Sequence, residues 1–263
     1  MPENLTLDTH AGVARLRLER PAVHNAFDAG LVRDLTAGLD ALGADPDVRV
    51  VVLEAAGVSF SAGADLNWMR AMAAADEAAN RDDALALARL MRTLDELPKP
   101  TLARVHGPAF GGGVGLVACC DIAIGVAAAR FGLTESRLGL LPAVISPYVI
   151  RAIGERQARR WFTTAEQFDA AEALRIGLLH EVVSDADALD AAMDRQLALL
   201  RKAAPLAAAT AKALVRRVAE GGARDALDAD NATLIARLRV SAEGQEGLGA
   251  FLDKRAPAWS LTP

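Results

Sequence analysis

Two glycine-rich turns hold the residue types best placed to do chemistry. The first is Phe60-Ser61-Ala62-Gly63-Ala64-Asp65-Leu66 and the second is Phe110-Gly111-Gly112-Gly113-Val114-Gly115. Each joins an apolar run to a helical pattern, so each should end at a helix N-terminus. There the first backbone amides have no intrahelical partner and carry partial positive charge. Small side chains let a ligand atom approach that backbone closely. Two such amides converging from separate turns would stabilise an oxyanion, the largest electrostatic contribution in thioester chemistry. Taken singly, either turn is better explained by tight turning and close helix packing. Gly111, Gly113 and Gly115 do not fit the G-x-G-x-x-G dinucleotide fingerprint, and no lysine with Ser/Thr follows for a phosphate loop.

The elements that must position these turns follow from periodicity. Residues 5–18 predict two short strands around a turn at Ala11-Gly12. Over residues 28–42, Leu31, Leu35, Leu39 and Leu42 recur at helical spacing. Residues 48–53 form a β-branched run, the pattern of a strand buried on both faces. Helices are expected over 66–75 and 83–97, the second ended by Pro98 and Pro100. Strands are expected over 101–105, 122–126 and 130–132, with an apolar helix starting at the triple glycine. This alternation predicts an α/β fold with largely parallel strands. After about Ser136 the periodicity is almost wholly helical, over 146–153, 156–162, 170–176, 186–203 and 205–220. The expectation is one core over residues 1–200 and a helical C-terminal region over 201–263.

Composition bounds the function classes. With 52% hydrophobic and 24% charged residues, a packed globule is expected rather than disorder. A formal net charge of -5 disfavours a general nucleic-acid or anionic-membrane binder. Residues 1–20 lack a basic stretch followed by an apolar one, so no signal peptide is expected. The longest apolar stretch, 109–129, is interrupted by Asp121 and rich in glycine, which suits a buried segment better than a membrane span. Cys119 and Cys120 are adjacent, a poor arrangement for a disulfide, and no metal-ligand spacing surrounds them. Buried free thiols and a cytoplasmic location are expected. His106 is close in sequence to the second turn but is expected to be a packing histidine.

Taken in order, several segments resemble the crotonase superfamily, the enoyl-CoA hydratase and isomerase family, along nearly the whole chain. They are 20–27 (Arg-Pro-Ala-Val-His-Asn-Ala-Phe), 60–66, Pro98-Lys99-Pro100, 107–113, Cys120-Asp121-Ile122, Phe131-Gly132, Glu135 and 138–142. The resemblance implies a ββα spiral core with a helical trimerisation region and a homotrimer or dimer of trimers. It implies an acyl-CoA thioester substrate, whose coenzyme A makes a separate cofactor unnecessary. It places the oxyanion amides at Ala64 and Gly112. It implies that Val23, His24, Ala62 and the segment Ala64, Asp65, Leu66 and Asn67 line the coenzyme A, with Lys254 and Arg255 offering charge to a phosphate.

Hydratases of this family usually carry two acid–base glutamates. Here the positions hold Gly115 and Glu135. Adding water across a double bond asks for a base on the water and an acid at the α-carbon. A single carboxylate must serve both in turn, or act as the lone base of a double-bond isomerase. Segments 65–70, 110–121 and 140–148 resemble bacterial methylglutaconyl-CoA hydratases, with the isohexenylglutaconyl-CoA hydratases of terpene breakdown close behind. Such substrates carry a distal carboxylate, for which Arg70, Arg104 and Arg137 are candidates. Hydration of a branched 2-enoyl-CoA through Glu135 is therefore expected, with isomerisation, simple enoyl-CoA hydration or non-catalytic acyl-CoA binding as alternatives.

Overall fold

A computed structural model of the chain describes residues 4–260. The strands β1 (Leu5–His10) and β2 (Val13–Leu18) form an antiparallel hairpin whose turn holds Ala11 at φ 48° and Gly12 at φ 74°. Two successive left-handed residues make the turn that matches the right-handed twist of paired strands. Helix α1 (Ala29–Ala44) starts where the Asp28 carboxylate accepts from the Leu31 N–H. Its apolar stripe, Leu31, Leu35, Leu39 and Leu42, is buried as the spacing requires. Strand β3 (Val50–Ala55) leads to the first glycine-rich turn, followed by α2 (Leu66–Ala74) and α3 (Glu77–Asp95). The sequence placed the start of α3 at 83. The helix begins earlier because Asp76 caps it, and its first turns are polar and mostly exposed, so hydrophobic period could not show them.

Strand β4 (Thr101–Val105), the two-residue β5 (Ala109–Phe110) and helix α4 (Gly112–Cys119) carry the second turn, and β6 (Ile122–Val126) and β7 (Arg130–Gly132) follow. A 3-10 turn at Glu135–Leu138 precedes α5 (Ser146–Ile153) and α6 (Glu155–Thr164). Beyond these lie β8 (Gln167–Asp169), α7 (Ala170–Ile176), β9 (Glu181–Val183) and α8 (Ala186–Lys202). The chain ends in α9 (Pro205–Glu220), α10 (Arg224–Val240) and α11 (Ala242–Leu252).

The strands make two sheets. One has the order β1-β2-β3-β4-β6-β9 and is parallel beyond the first hairpin. The other, β5-β7-β8, pairs β5 with β7 in parallel and β8 antiparallel to β7. Strands β8 and β9 correct the expectation of an almost wholly helical C-terminal half. At three residues each, they are too short for a period to register. Strand β8 brings Phe168 against Phe131, ring centroids 5.7 Å apart, and against Trp161 at 4.6 Å, anchoring the small sheet next to Glu135.

The core lies between the sheets and helices α1, α3, α4 and α5, where Leu16, Leu53, Phe60, Met91 and Phe131 are fully buried. Helices α9 and α10 bury no residue, and α11 buries only Ala250. Their attachment is polar in part: Lys212 on α9 lies 2.8 Å from Asp121, which also accepts from the Thr101 backbone and hydroxyl. Among the described residues, no helix is long and apolar enough to cross a membrane.

Candidate active site

The two glycine-rich turns are bound to each other. The Pro108 carbonyl accepts from the Phe60 and Ser61 N–H groups, and the Phe110 N–H donates to Ser61 at 2.9 Å. A third segment supports them from behind. Phe27 donates to the Gly63 carbonyl at 2.7 Å, Asp65 donates to the Phe27 carbonyl at 2.8 Å, and Ala62 donates to the His24 carbonyl at 2.9 Å. Asn25, fully buried, holds this arrangement. Its amide donates to the Ala56 and Ser59 carbonyls, and its carbonyl accepts from the Arg20 N–H.

Glycine is required where the turns meet. Gly63 has φ 89°, and a Cβ there would lie 3.2 Å from the Phe110 carbonyl oxygen. A Cβ on Gly113 would lie 2.8 Å from the Ser61 carbonyl oxygen. Close packing and chemistry therefore coincide. The contact that demands small residues also puts Ala64 and Gly112 on adjoining turns in the wall of one cavity. Among the described residues neither donates to a protein acceptor, and Gly112 is the first residue of α4.

These amides open on a cavity of about 610 Å³ whose wall includes Phe27, Trp68, Leu87, Phe110, Val144 and Ile145. Glu135 is the sole ionisable side chain in that wall among the described residues. It begins the 3-10 turn after β7, and its Oε1 lies 3.1 Å from where a Cβ on Gly111 would sit. Its Oε2 is buried and has no protein partner among the described residues. Burial raises the Glu135 pKa above the ordinary carboxylate value, partly offset by its own backbone N–H. A carboxyl group so placed, on the cavity wall with a raised pKa, is a candidate for acid–base work.

Position 115 is closed to a second carboxylate by volume. A Cβ on Gly115 would lie 2.4 Å from Ile145 Cγ2 and 3.2 Å from Met91 Cε. The space beside α4 is occupied by Ile145, the residue that caps α5.

The other candidate residues are placed as follows. Ala62 and Leu66 lie in the cavity wall with Ala64. Val23 and His24 form the turn behind Ala62, where His24 Nδ1 lies 3.0 Å from the Ser59 hydroxyl. Asp65 points away from the cavity. It caps α2 by accepting from the Asn67 and Trp68 N–H groups, and Arg20 bridges it to Asp28. Asn67 accepts from Arg70 at the surface. Lys254 is exposed beyond α11 and outside the cavity wall, while Arg255 forks onto Glu246. None of Arg70, Arg104 and Arg137 lines the cavity, and Arg104 is held by Asp190 at 2.7 Å. His106 Nε2 lies 3.0 Å from the Gly57 carbonyl oxygen, outside the wall, while its buried Nδ1 has no partner among the described residues. Cys119 and Cys120 are buried free thiols, and burial pushes Cys120 up to about 12.

Residues without a readable signal complete the site. Trp68 donates to Asp83 at 3.0 Å, tying α2 to α3 beside the cavity. The supporting role of Asn25 and the placement of Ile145 depend on segments far apart in sequence.

A family model described as enoyl-CoA hydratase/isomerase matches residues 8–261. The 2,3-dehydroadipyl-CoA hydratase of Escherichia coli is 35% identical over 249 residues, covering 93% of this chain and 94% of that protein. The crystal structure of an enoyl-CoA hydratase from Shewanella pealeana superposes with a TM-score of 0.95 at 44% identity, covering 98% of this chain and 96% of that one. Pseudomonas aeruginosa AtuE gives a TM-score of 0.95 at 43% identity, covering 98% and 100%. With matches running nearly end to end in both sequence and structure, this chain belongs to the enoyl-CoA hydratase/isomerase family and has the crotonase fold.

Proposed function

We propose that this enzyme adds water reversibly to a branched 2-enoyl-CoA of the 3-methylglutaconyl type, using Glu135 as its one acid–base group. The carrying observation is that Glu135 is the cavity's sole ionisable side chain among the described residues and packs on Gly111, next to the free Gly112 amide. In the forward direction the Glu135 carboxylate takes a proton from water as the water oxygen bonds to C3. The C2–C3 electron pair moves toward the thioester, and the Ala64 and Gly112 amides hold the resulting enolate oxygen. The Glu135 carboxylic acid then returns the proton to C2. One water is consumed, and one carboxylate on one face serves both steps. No group beyond the substrate's own coenzyme A enters this scheme.

The apolar wall suits a branched acyl group, and the E. coli relative is named for a half-thioester of a dicarboxylic acid. Among the described residues a distal carboxylate meets no cation in the wall, so it would extend to the open mouth. An isohexenylglutaconyl group, with a longer apolar branch, is the second substrate. The same lone carboxylate favours 3-enoyl to 2-enoyl isomerisation as the second reaction. Assaying 3-methylglutaconyl-CoA, isohexenylglutaconyl-CoA, crotonyl-CoA and a 3-enoyl-CoA side by side decides among them. Brisk isomerisation without water addition to either branched substrate overturns the proposal. Glu135→Gln should keep thioester binding and lose turnover at least ~100-fold, as loss of an acid–base group requires. A wild type that binds but turns over no acyl-CoA would make it a scaffold.

The assembly belongs to the same proposal. Val215, Ile235, Val240, Phe251 and Leu252 are exposed on the C-terminal helices, an apolar surface suited to packing between subunits of a trimer or a dimer of trimers. Lys254 would then offer its charge to a coenzyme A phosphate, in its own subunit or in a neighbour, which mixed-subunit assays distinguish. Two reduced thiols fit a cytoplasmic enzyme.

A further inference from the structure

We infer that Ile145 determines specificity in the acyl cavity by packing against the substituent at the β-carbon. The inference rests on the thioester placement proposed above. Gly111 is the N-cap of α4, and its carbonyl accepts from the Gly115 N–H at 3.2 Å, so the two lie one helical turn apart, about 6 Å along the axis. Glu135 occupies the space above Gly111, with Oε1 3.1 Å from the Cβ site, and Ile145 occupies the space above Gly115, with Cγ2 2.4 Å from the Cβ site. The carboxylate and the isoleucine therefore follow one another along a single ridge, starting at the turn that carries the Gly112 amide. An acyl chain anchored by its thioester oxygen at that amide passes Glu135 at C2 and C3. Its next substituents meet Ile145.

Ile145 is suited to this task. It is 3% exposed, belongs to the hydrophobic core and also lines the cavity, with Cγ2 seated on Gly115 of α4, so its position is fixed by packing. Being β-branched and the cap of α5, it has little freedom to withdraw. The glycine at 115 and the isoleucine at 145 act as one device. The first vacates a volume, and the second fills it with an apolar surface that a methyl branch can contact.

The test uses saturated thioesters, so that binding is measured apart from turnover. Affinities for isovaleryl-CoA, branched at C3, and butyryl-CoA, unbranched, are compared by calorimetry in wild type, I145A and I145V. The isovaleryl-to-butyryl affinity ratio should fall about tenfold in I145A, the low end of what one methyl group decides in an apolar pocket, and by less in I145V. If I145A does not fold, I145V, which removes one carbon and keeps the β-branch, carries the test. Ratios within twofold of wild type in the folded variants overturn the inference. Absence of hydration by the wild type overturns the proposed reaction instead, and the affinity ratio still decides the role of Ile145.

Discussion

Gly115→Ala opposes two effects of known sign. Inside a helix, replacing glycine by alanine normally stabilises by about 0.5–1 kcal/mol through lower backbone entropy in the unfolded chain. Here the new Cβ would lie 2.4 Å from Ile145 Cγ2, 3.0 Å from Ile145 Cβ and 3.2 Å from Met91 Cε. Rotating the Ile145 side chain moves Cγ2 but leaves Cβ in place, and its backbone caps α5. Overpacking of this kind costs about 1–3 kcal/mol, and so close a contact at a fixed atom argues for the upper end. The net expectation is a loss of about 2 kcal/mol, or a fall of roughly 4–8 °C in Tm for a chain of this size. Thermal unfolding followed by circular dichroism at matched protein concentration measures it. With Ile145→Ala as background the 2.4 Å contact with Cγ2 is gone while the 3.0 Å contact with Cβ remains, so the same glycine-to-alanine change should be close to neutral. The difference implies a coupling of about 2 kcal/mol in the double-mutant cycle. If Gly115→Ala raises Tm with Ile145 present, the steric account of position 115 is wrong.

The pH dependence follows from Glu135. Its folded pKa is raised by burial, and the proposed reaction needs the carboxylate, so the acid limb of kcat/KM should lie above the ordinary carboxylate pKa of 4.5. The same shift bears on stability. Between 4.5 and the raised value the native state holds a proton that the unfolded chain has lost, so stability falls as pH rises through that window. Glu135→Gln should lack this fall, gaining on wild type as pH rises; parallel stability curves for the two proteins across the window would contradict it. Asn25→Ala should destabilise by about 2–4 kcal/mol, because it strands the Arg20 N–H and the Ala56 and Ser59 carbonyls in a buried turn. Chemical denaturation reads the loss, and a change under ~1 kcal/mol would mean that water replaces the amide readily.

Much of the fold was legible because it is written in local period. The α1 stripe is regular enough to appear without any tertiary information, and so is the β-branched run of β3. The first turns of α3 and the strands β8 and β9 were not legible. The former are exposed and polar, and the latter are three-residue strands defined by their partners. In the site, glycine content marked both turns, since a backbone that must approach another closely excludes side chains. Arg70, Arg104 and Arg137 could not be ranked for a distal carboxylate because charge in a sequence carries no direction, and none of them lines the cavity. Arg70 and Arg104 are held at the surface by Asn67 and Asp190.

The amino-acid sequence by itself determined that two small-residue turns end in helix N-termini, and that a glutamate stands where its usual partner is replaced by glycine. Only the tertiary structure decided what that glycine means. Residues 115 and 145 are thirty positions apart, and their exchange of volume exists only because α5 packs on α4. Local sequence encodes backbone conformation through short-range sterics and hydrogen bonds. The shape of a cavity is set by which distant side chains fill the space that those backbones leave.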